Sequence, residues 1–405
     1  EKMDCCTKIN LPSCNSPLSF YNATLTLKYL RNIYHRADIK TSYVKEILEI
    51  HNKEPMPLSI YSDDWTLLGE NFTQWWNGRS IPASRRHLQE RLQELQVSTM
   101  AEIINTSFGL SLSDQYWIKP LGAEIVWKDI NFFTNSFSMD MGEFFIDHRI
   151  KGHMDMHSPD NTSDGLIQKK WSIKRGIRYL MKTGTPPFVQ EPFNEVIGSH
   201  ILSCLSVPYT EYTLVKDDHR YYSRCKNFID EDHEFVSAYY LCKSMSFREN
   251  MEKEEQLRRA MAHYHVHGGE KFVQQMLCLD FIIMNVDRHW GNFGFIRNVN
   301  TLDIECPAPI FDNGSSLWYD MAHIPAYFDK AKTLRKKHSA QIKLVSDFSG
   351  INFAALKTVP AQAKEILAEN TNLPSGRPEQ IALGILKRVR MLERVRDKQR
   401  STPTR

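Results

Sequence analysis

Asn285-Val-Asp287-Arg288-His289-Trp290-Gly291-Asn292-Phe293-Gly294 is the stretch on which the reading of this chain turns. It is polar and turn-forming, and it follows directly on a strongly apolar helix end, Leu277-Cys-Leu-Asp-Phe-Ile-Ile-Met284. Such a segment is a loop held at the edge of a core. Phosphoryl transfer needs a carboxylate to orient the attacking hydroxyl and an oxygen ligand nearby for Mg²⁺; Asp287, with Asn292 five residues on, offers both.

Working outward, Ala308-Pro-Ile-Phe311-Asp312-Asn313-Gly314-Ser315 reads as a short apolar strand that delivers a second carboxylate at a tight turn. Mg²⁺ is commonly bound through one or two carboxylates plus substrate phosphates, which makes Asp312 the natural metal ligand and Asn292 its helper. Upstream, an ammonium is needed for the nucleotide phosphates. Lys182 ends a strand on which Leu180 shares its face, and Glu195, thirteen residues later on a helix, is placed to hold it by an ion pair, with Glu191 as the alternative. Gly198, one turn on, lets that helix approach a neighbour closely. The loop Thr162-Ser163-Asp164-Gly165 could present N–H groups and hydroxyls to phosphate oxygens, although it holds a single Gly.

These residues sit in an ordered frame. Gly152 to Gly165 is turn-rich and marks a domain boundary. Trp171–Lys174, the turn Arg175-Gly176 and Ile177–Lys182 then make a hairpin. From Glu191 to Leu205 the apolar residues Phe193, Ile197, Ile201 and Leu205 recur every fourth position behind Pro192, which predicts a helix. Strand-like sequence follows at Tyr209–Val215 and Tyr221–Phe228, and beyond residue 250 the pattern is mainly helical, notably Glu270–Asn285 and Pro378–Val395. The expectation is an α+β chain with residues 1–150 as an accessory domain, 151–248 as a small β-rich lobe and 249–405 as a larger helical lobe. The aromatic-rich α/β region at the front, with a helix predicted over Ser84–Gln96, assembles no catalytic set, and its Trp and Tyr residues read as core.

From about Ser158 to its end the chain resembles the HipA-like protein kinases. The resemblance is carried by Ser163-Asp164-Gly165, Tyr179-Leu-Met-Lys182, Glu191-Pro-Phe-Asn-Glu195, the Asp287 to Asn292 loop and Phe311-Asp-Asn-Gly314. The Asp-Arg-His-x-x-Asn order is also similar to the catalytic loop of phosphatidylinositol 3- and 4-kinases. It implies a bilobal kinase-like fold and ATP with Mg²⁺, with Asp287 as catalytic base and Asn292 and Asp312 as metal ligands. It further implies Lys182 on the ATP phosphates with Glu195 as its partner, Arg288 and His289 as loop-ordering residues, and Tyr221 to Phe228 as the approach to the adenine-binding hinge. A protein substrate, autophosphorylation at Thr162 or Ser163 and a regulatory partner at the front region belong to the same expectation.

Bulk properties bound the alternatives. A chain of 405 residues with 41% hydrophobic and 24% charged residues is a globular one, and a net charge of +3 is too small to announce nucleic acid. No stretch reaches the apolar length that spans a bilayer. Eight scattered cysteines form no disulfide framework and point to a reducing cytoplasm, and Cys5, Cys6 and Cys14 lack a second pair for a metal site. His263, His265 and His267 alternate as strand ligands would, yet they precede a helix and lack a carboxylate. The basic residues Lys332, Arg335, Lys336 and Lys337, and Lys387, Arg388 and Arg390, read as solvated faces, with a docking surface for an acidic partner as the lesser reading. Three functions fit the set: a Ser/Thr protein kinase, a lipid or small-molecule kinase, and a nucleotide-binding interaction protein whose catalysis has lapsed.

Overall fold

The structure is a computed structural model that describes residues 4–10, 24–30, 43–50 and 54–401, apart from 59, 61, 83–87, 96, 98–99, 121–123, 148–153, 163–164, 166 and 218. Contacts divide the chain into two compact units. One is Glu1–Met181 with Ile229–Val236 and Arg297–Asp303; the other is Lys182–Phe228 with Ser237–Ile296 and Ile304–Arg405.

In the first unit, strands Tyr43–Ile50, Thr24–Leu30, Asp4–Asn10 and Trp117–Pro120 form an antiparallel sheet in that spatial order. Helix Trp65–Gly78 starts where Asp64 accepts the N–H groups of Thr66 and Leu67, satisfying two otherwise orphaned donors. It buries Leu68, Phe72, Trp75 and Trp76, and the Trp75 ring meets Tyr116 edge-on at 5.7 Å. The clustered aromatics are core, as their composition predicts. The predicted Ser84–Gln96 helix is observed as Leu88–Glu94; Ser84, its expected cap, lies outside the described residues, while Leu88 and Leu92 pack with Phe144 and Phe145. Strands Lys169–Lys174 and Ile177–Lys182 pair across a turn whose two central residues both have positive φ, Arg175 at 52° and Gly176 at 76°. That is the geometry a two-residue hairpin needs.

The second unit is built on buried helices. Gly269–Ile283 is buried throughout from Gln275 on, which explains why Met276–Ile283 is apolar on every side but for Asp280. It stops at Met284, held left-handed at φ 55° and donating back to Asp280 O, so the chain turns into the Asn285–Gly294 loop two residues earlier than the periodicity predicts. Helix Arg377–Arg400 presents Ile381, Ile385, Val389 and Leu392 to the core. Helix Glu191–Leu202 has Pro192 in its first turn and ends short of the predicted Leu205, because Leu205 leaves the helix to bridge Ile351. Strands Thr213–Asp217 and Arg220–Lys226 make an antiparallel hairpin. The predicted strand start at Tyr209 pairs with Ile310 instead, which fixes the segment just ahead of Asp312. The α+β class expected from the sequence is the class observed. Among the described residues, no helix is long and apolar enough to cross a membrane.

Candidate active site

Lys182 is buried at 4% exposure at the end of its strand, where an isolated ammonium would be very costly. Two carboxylates compensate it: Nζ lies 2.8 Å from Glu195 Oε1 and 2.8 Å from Asp312 Oδ1, with Tyr212 Oη at 3.3 Å. Burial alone would lower the lysine pKa, but Asp312 and Glu195 outweigh it and hold the group charged, well above its ordinary value. Burial drives Glu195 upward against the pull of Lys182. Both partners are thus shifted upward, and the ion-paired state is the one this geometry supports, because Glu195 Oε2 also accepts the Asn313 N–H at 2.7 Å. Glu191, the alternative partner, is occupied elsewhere, its carboxylate accepting the Thr185 N–H.

Asp287 and Asp312 stand on two loops that are joined along their length. Val286 N–H donates to Ser315 O at 3.0 Å and Leu317 N–H to Ile283 O at 2.7 Å. Arg288, fully buried, closes the pair. Its Nη1 donates to the carbonyls of both Asn292, at 3.0 Å, and Phe311; its Nη2 reaches Asn313 Oδ1 at 2.6 Å. Its charge is met by Asp280 Oδ1 at 3.2 Å, a carboxylate that burial raises to about 6 despite the guanidinium. One side chain therefore binds the backbone carbonyls of Asn292 and of the residue before Asp312, which ties the two loops together. Asp312 itself has φ 61°, a conformation uncommon for a non-glycine residue and typical of functional sites.

The remaining sequence candidates fall in different places. His289 orders its own loop, its Nδ1 accepting Gly291 N–H at 3.0 Å and its carbonyl accepting Asn292 N–H at 2.9 Å. The Phe228 ring meets that of Phe311, the residue before Asp312, at 5.6 Å and a tilt of 33°. Thr162 belongs to the first unit, where its hydroxyl donates to Leu110 O at 2.8 Å. Gly165 is in the same unit at φ 94°, and Ser163 and Asp164 lie outside the described residues. Four participants were not anticipated as site residues: Tyr212, Asp280, Asn313 and Lys332, whose Nζ is 2.5 Å from Asp287 Oδ1. Asp280 had a signal, a lone carboxylate inside an apolar helix, which needs a buried cation. Lys332 had none.

Asn292 donates its Nδ2 to Asp287 O at 3.0 Å, which turns Oδ1 away as an acceptor. The Asp312 carboxylate and this amide oxygen are hard oxygen donors, the ligand type that a divalent cation such as Mg²⁺ takes.

No protein-family model matches the chain. Over 96% of this chain and 99% of the other, the structure superposes on HipA from the Shewanella oneidensis MR-1 toxin–antitoxin complex with HipB and operator DNA, at TM-score 0.54 and 14% identity. The fold is that of the HipA-like kinases. The Helicobacter pylori proinflammatory kinase CtkA superposes over 57% of this chain and 94% of its own at TM-score 0.45 and 20% identity. In sequence, the chain is 31% identical over 132 residues to the serine/threonine-protein kinase CtkA of H. pylori strain J99, a match that covers 31% of this chain and 40% of that protein. On this kinase-like scaffold, the Lys182–Glu195–Asp312 cluster and the Asp287–Asn292 loop are contained in one compact unit.

Proposed function

We propose that this protein is an ATP-dependent phosphotransferase that moves the γ-phosphoryl group of ATP to a serine or threonine hydroxyl of a protein. The observation that carries the reading is Lys182 held at 2.8 Å from both Glu195 and Asp312, on a loop that Arg288 ties to Asp287. A lysine fixed by a helix glutamate beside a carboxylate on a strained turn is the arrangement that binds nucleotide phosphates. Bound at Asp312 and Asn292, Mg²⁺ would offset the charge of the phosphates. Asp287 accepts the proton of the acceptor hydroxyl as its oxygen bonds to the γ-phosphorus and the bond to the β–γ bridging oxygen breaks, releasing ADP. The sequence match to a serine/threonine-protein kinase supports the protein acceptor.

Asp287→Asn keeps the loop geometry and removes the base, so turnover should fall by roughly 10² to 10⁴ while ATP affinity is retained. Incubation with γ-labelled ATP, alone and then with phosphoinositide vesicles, reads both activity and acceptor. Label in protein that disappears with the variant supports the reading; full activity in Asp287→Asn refutes the assigned base, and label confined to lipid refutes the acceptor.

A further inference from the structure

The segment from Tyr327 to Lys337 is irregular but firmly fixed. Ala331 N–H donates to Lys336 O at 3.0 Å, folding it into a loop. Thr333 is buried, its hydroxyl donating to Arg288 O at 3.0 Å while its carbonyl accepts Trp290 Nε1 at 2.9 Å. Gln341 Oε1 accepts the N–H groups of Leu334 and Arg335 at 2.7 and 3.1 Å. With Ala331, Thr333 and Leu334 turned inward, Lys330, Lys332, Lys336 and Lys337 are exposed.

This basic loop borders the chemistry, because Lys332 Nζ touches Asp287 Oδ1 at 2.5 Å. Asp287 is where an acceptor hydroxyl has to arrive. Three carboxylates around the loop are already engaged: Asp287 by Lys332, Glu254 by Arg335, and Asp329 by the Ser339 N–H at 2.9 Å and the Ser339 hydroxyl at 2.5 Å. Among the described residues, no ion pair is formed by Lys330, Lys336 or Lys337. A merely solvated face interleaves both signs of charge. A fixed loop that reaches Asp287 through Lys332 and carries three further exposed ammonium groups outside any ion pair is a different object.

We infer that this loop is the acceptor-docking surface and that it selects hydroxyl-bearing segments flanked by acidic residues. The inference rests on the phosphotransferase reading above. Exposed charges of this kind act mainly on encounter and selectivity, through long-range attraction that salt weakens.

The test uses the full chain, ATP and Mg²⁺ with two serine peptides of equal length, one flanked by glutamates and one by lysines. The wild type should show a KM lower by about tenfold for the acidic peptide, shrinking as ionic strength rises. The double variant K336A/K337A, altered only at exposed positions, should lose most of that preference while kcat changes by less than about twofold. Equal KM values for the two peptides, an unchanged preference in the variant, or transfer confined to phosphoinositide vesicles would each overturn the inference. Fluorescence anisotropy of the labelled acidic peptide separates the two readings. Binding that the double variant weakens about tenfold without any transfer leaves the docking surface standing and removes the phosphotransferase; transfer without acid preference does the reverse.

Discussion

At the scale of single residues, Arg288 has more fixed obligations than any other group around the site. Itself fully buried, it meets Asp280, the carbonyls of Asn292 and Phe311, and the Asn313 amide oxygen. A planar fork with five donors can serve this set; an ammonium with three donors on a flexible stem cannot. Arg288→Lys keeps the charge but leaves at least one of these four acceptors unmet. The expected outcome is a loss of about 3 kcal/mol in stability by urea unfolding, within the range for disrupting a buried charge network, together with loss of phosphotransfer. Wild-type stability in this variant would show that the two loops are held by their backbone bonds alone. A loop-ordering role for Arg288 is what the resemblance to the HipA-like kinases implies. The reach of Arg288 to Phe311 and Asn313, 23 and 25 residues away, was not legible in the sequence, since periodicity carries no information on which distant backbone atoms a side chain will meet.

At the scale of elements, helix Glu191–Leu202 and the residue before it act as the ruler for the Asp312 loop. Gln190 Nε2 donates to Leu317 O at 2.9 Å, Asn194 Nδ2 to Gly314 O and Ser316 O, and Glu195 receives Asn313 N–H. Gln190, Asn194 and Gly198 are spaced by four and so lie on one helix face. At Gly198 a β-carbon would come within 2.9 Å of Asn313 Cβ, so that face can approach only because it ends in glycine. Gly198→Val should push the loop away, costing about 1–3 kcal/mol by overpacking and raising the KM for ATP more than it lowers kcat. Unchanged KM in a folded variant would show that the close approach has no bearing on the nucleotide site. This helix was readable because Pro192 and the four-residue apolar spacing agree, and so was the hairpin at Arg175-Gly176. Its end at Leu202 was not, because a long-range bridge from Leu205 to Ile351 overrode local propensity. The placement of Lys332 beside Asp287, 45 residues apart, was hidden for the same reason, and composition alone made it a solvated lysine.

At the scale of the whole molecule, stability against pH is set partly by two buried groups that pull in opposite directions. His338 is lowered from 6.5 to about 4 by burial and then by Arg388, against the weaker attraction of Asp329. Below pH 6.5 the unfolded chain binds a proton there that the folded chain refuses, so this contribution is present above that pH and is lost as pH falls toward 4. Asp280 is raised from 3.8 to about 6 by burial, opposed by Arg288. The folded chain keeps a proton that the unfolded chain gives up, so this contribution grows as pH falls through 6 and is complete near 4. From pH 7 to pH 5 the first costs about 2 kcal/mol and the second returns about 1 kcal/mol, at 1.36 kcal/mol per unit. His338→Leu removes the first and leaves the second. Its stability relative to the wild type, measured by urea unfolding at both pH values, should therefore shift in the variant's favour by about 2 kcal/mol between pH 7 and pH 5. A relative stability that stays constant over that interval would mean the imidazole charges freely in the folded chain, which its burial at 1% exposure beside Arg388 argues against.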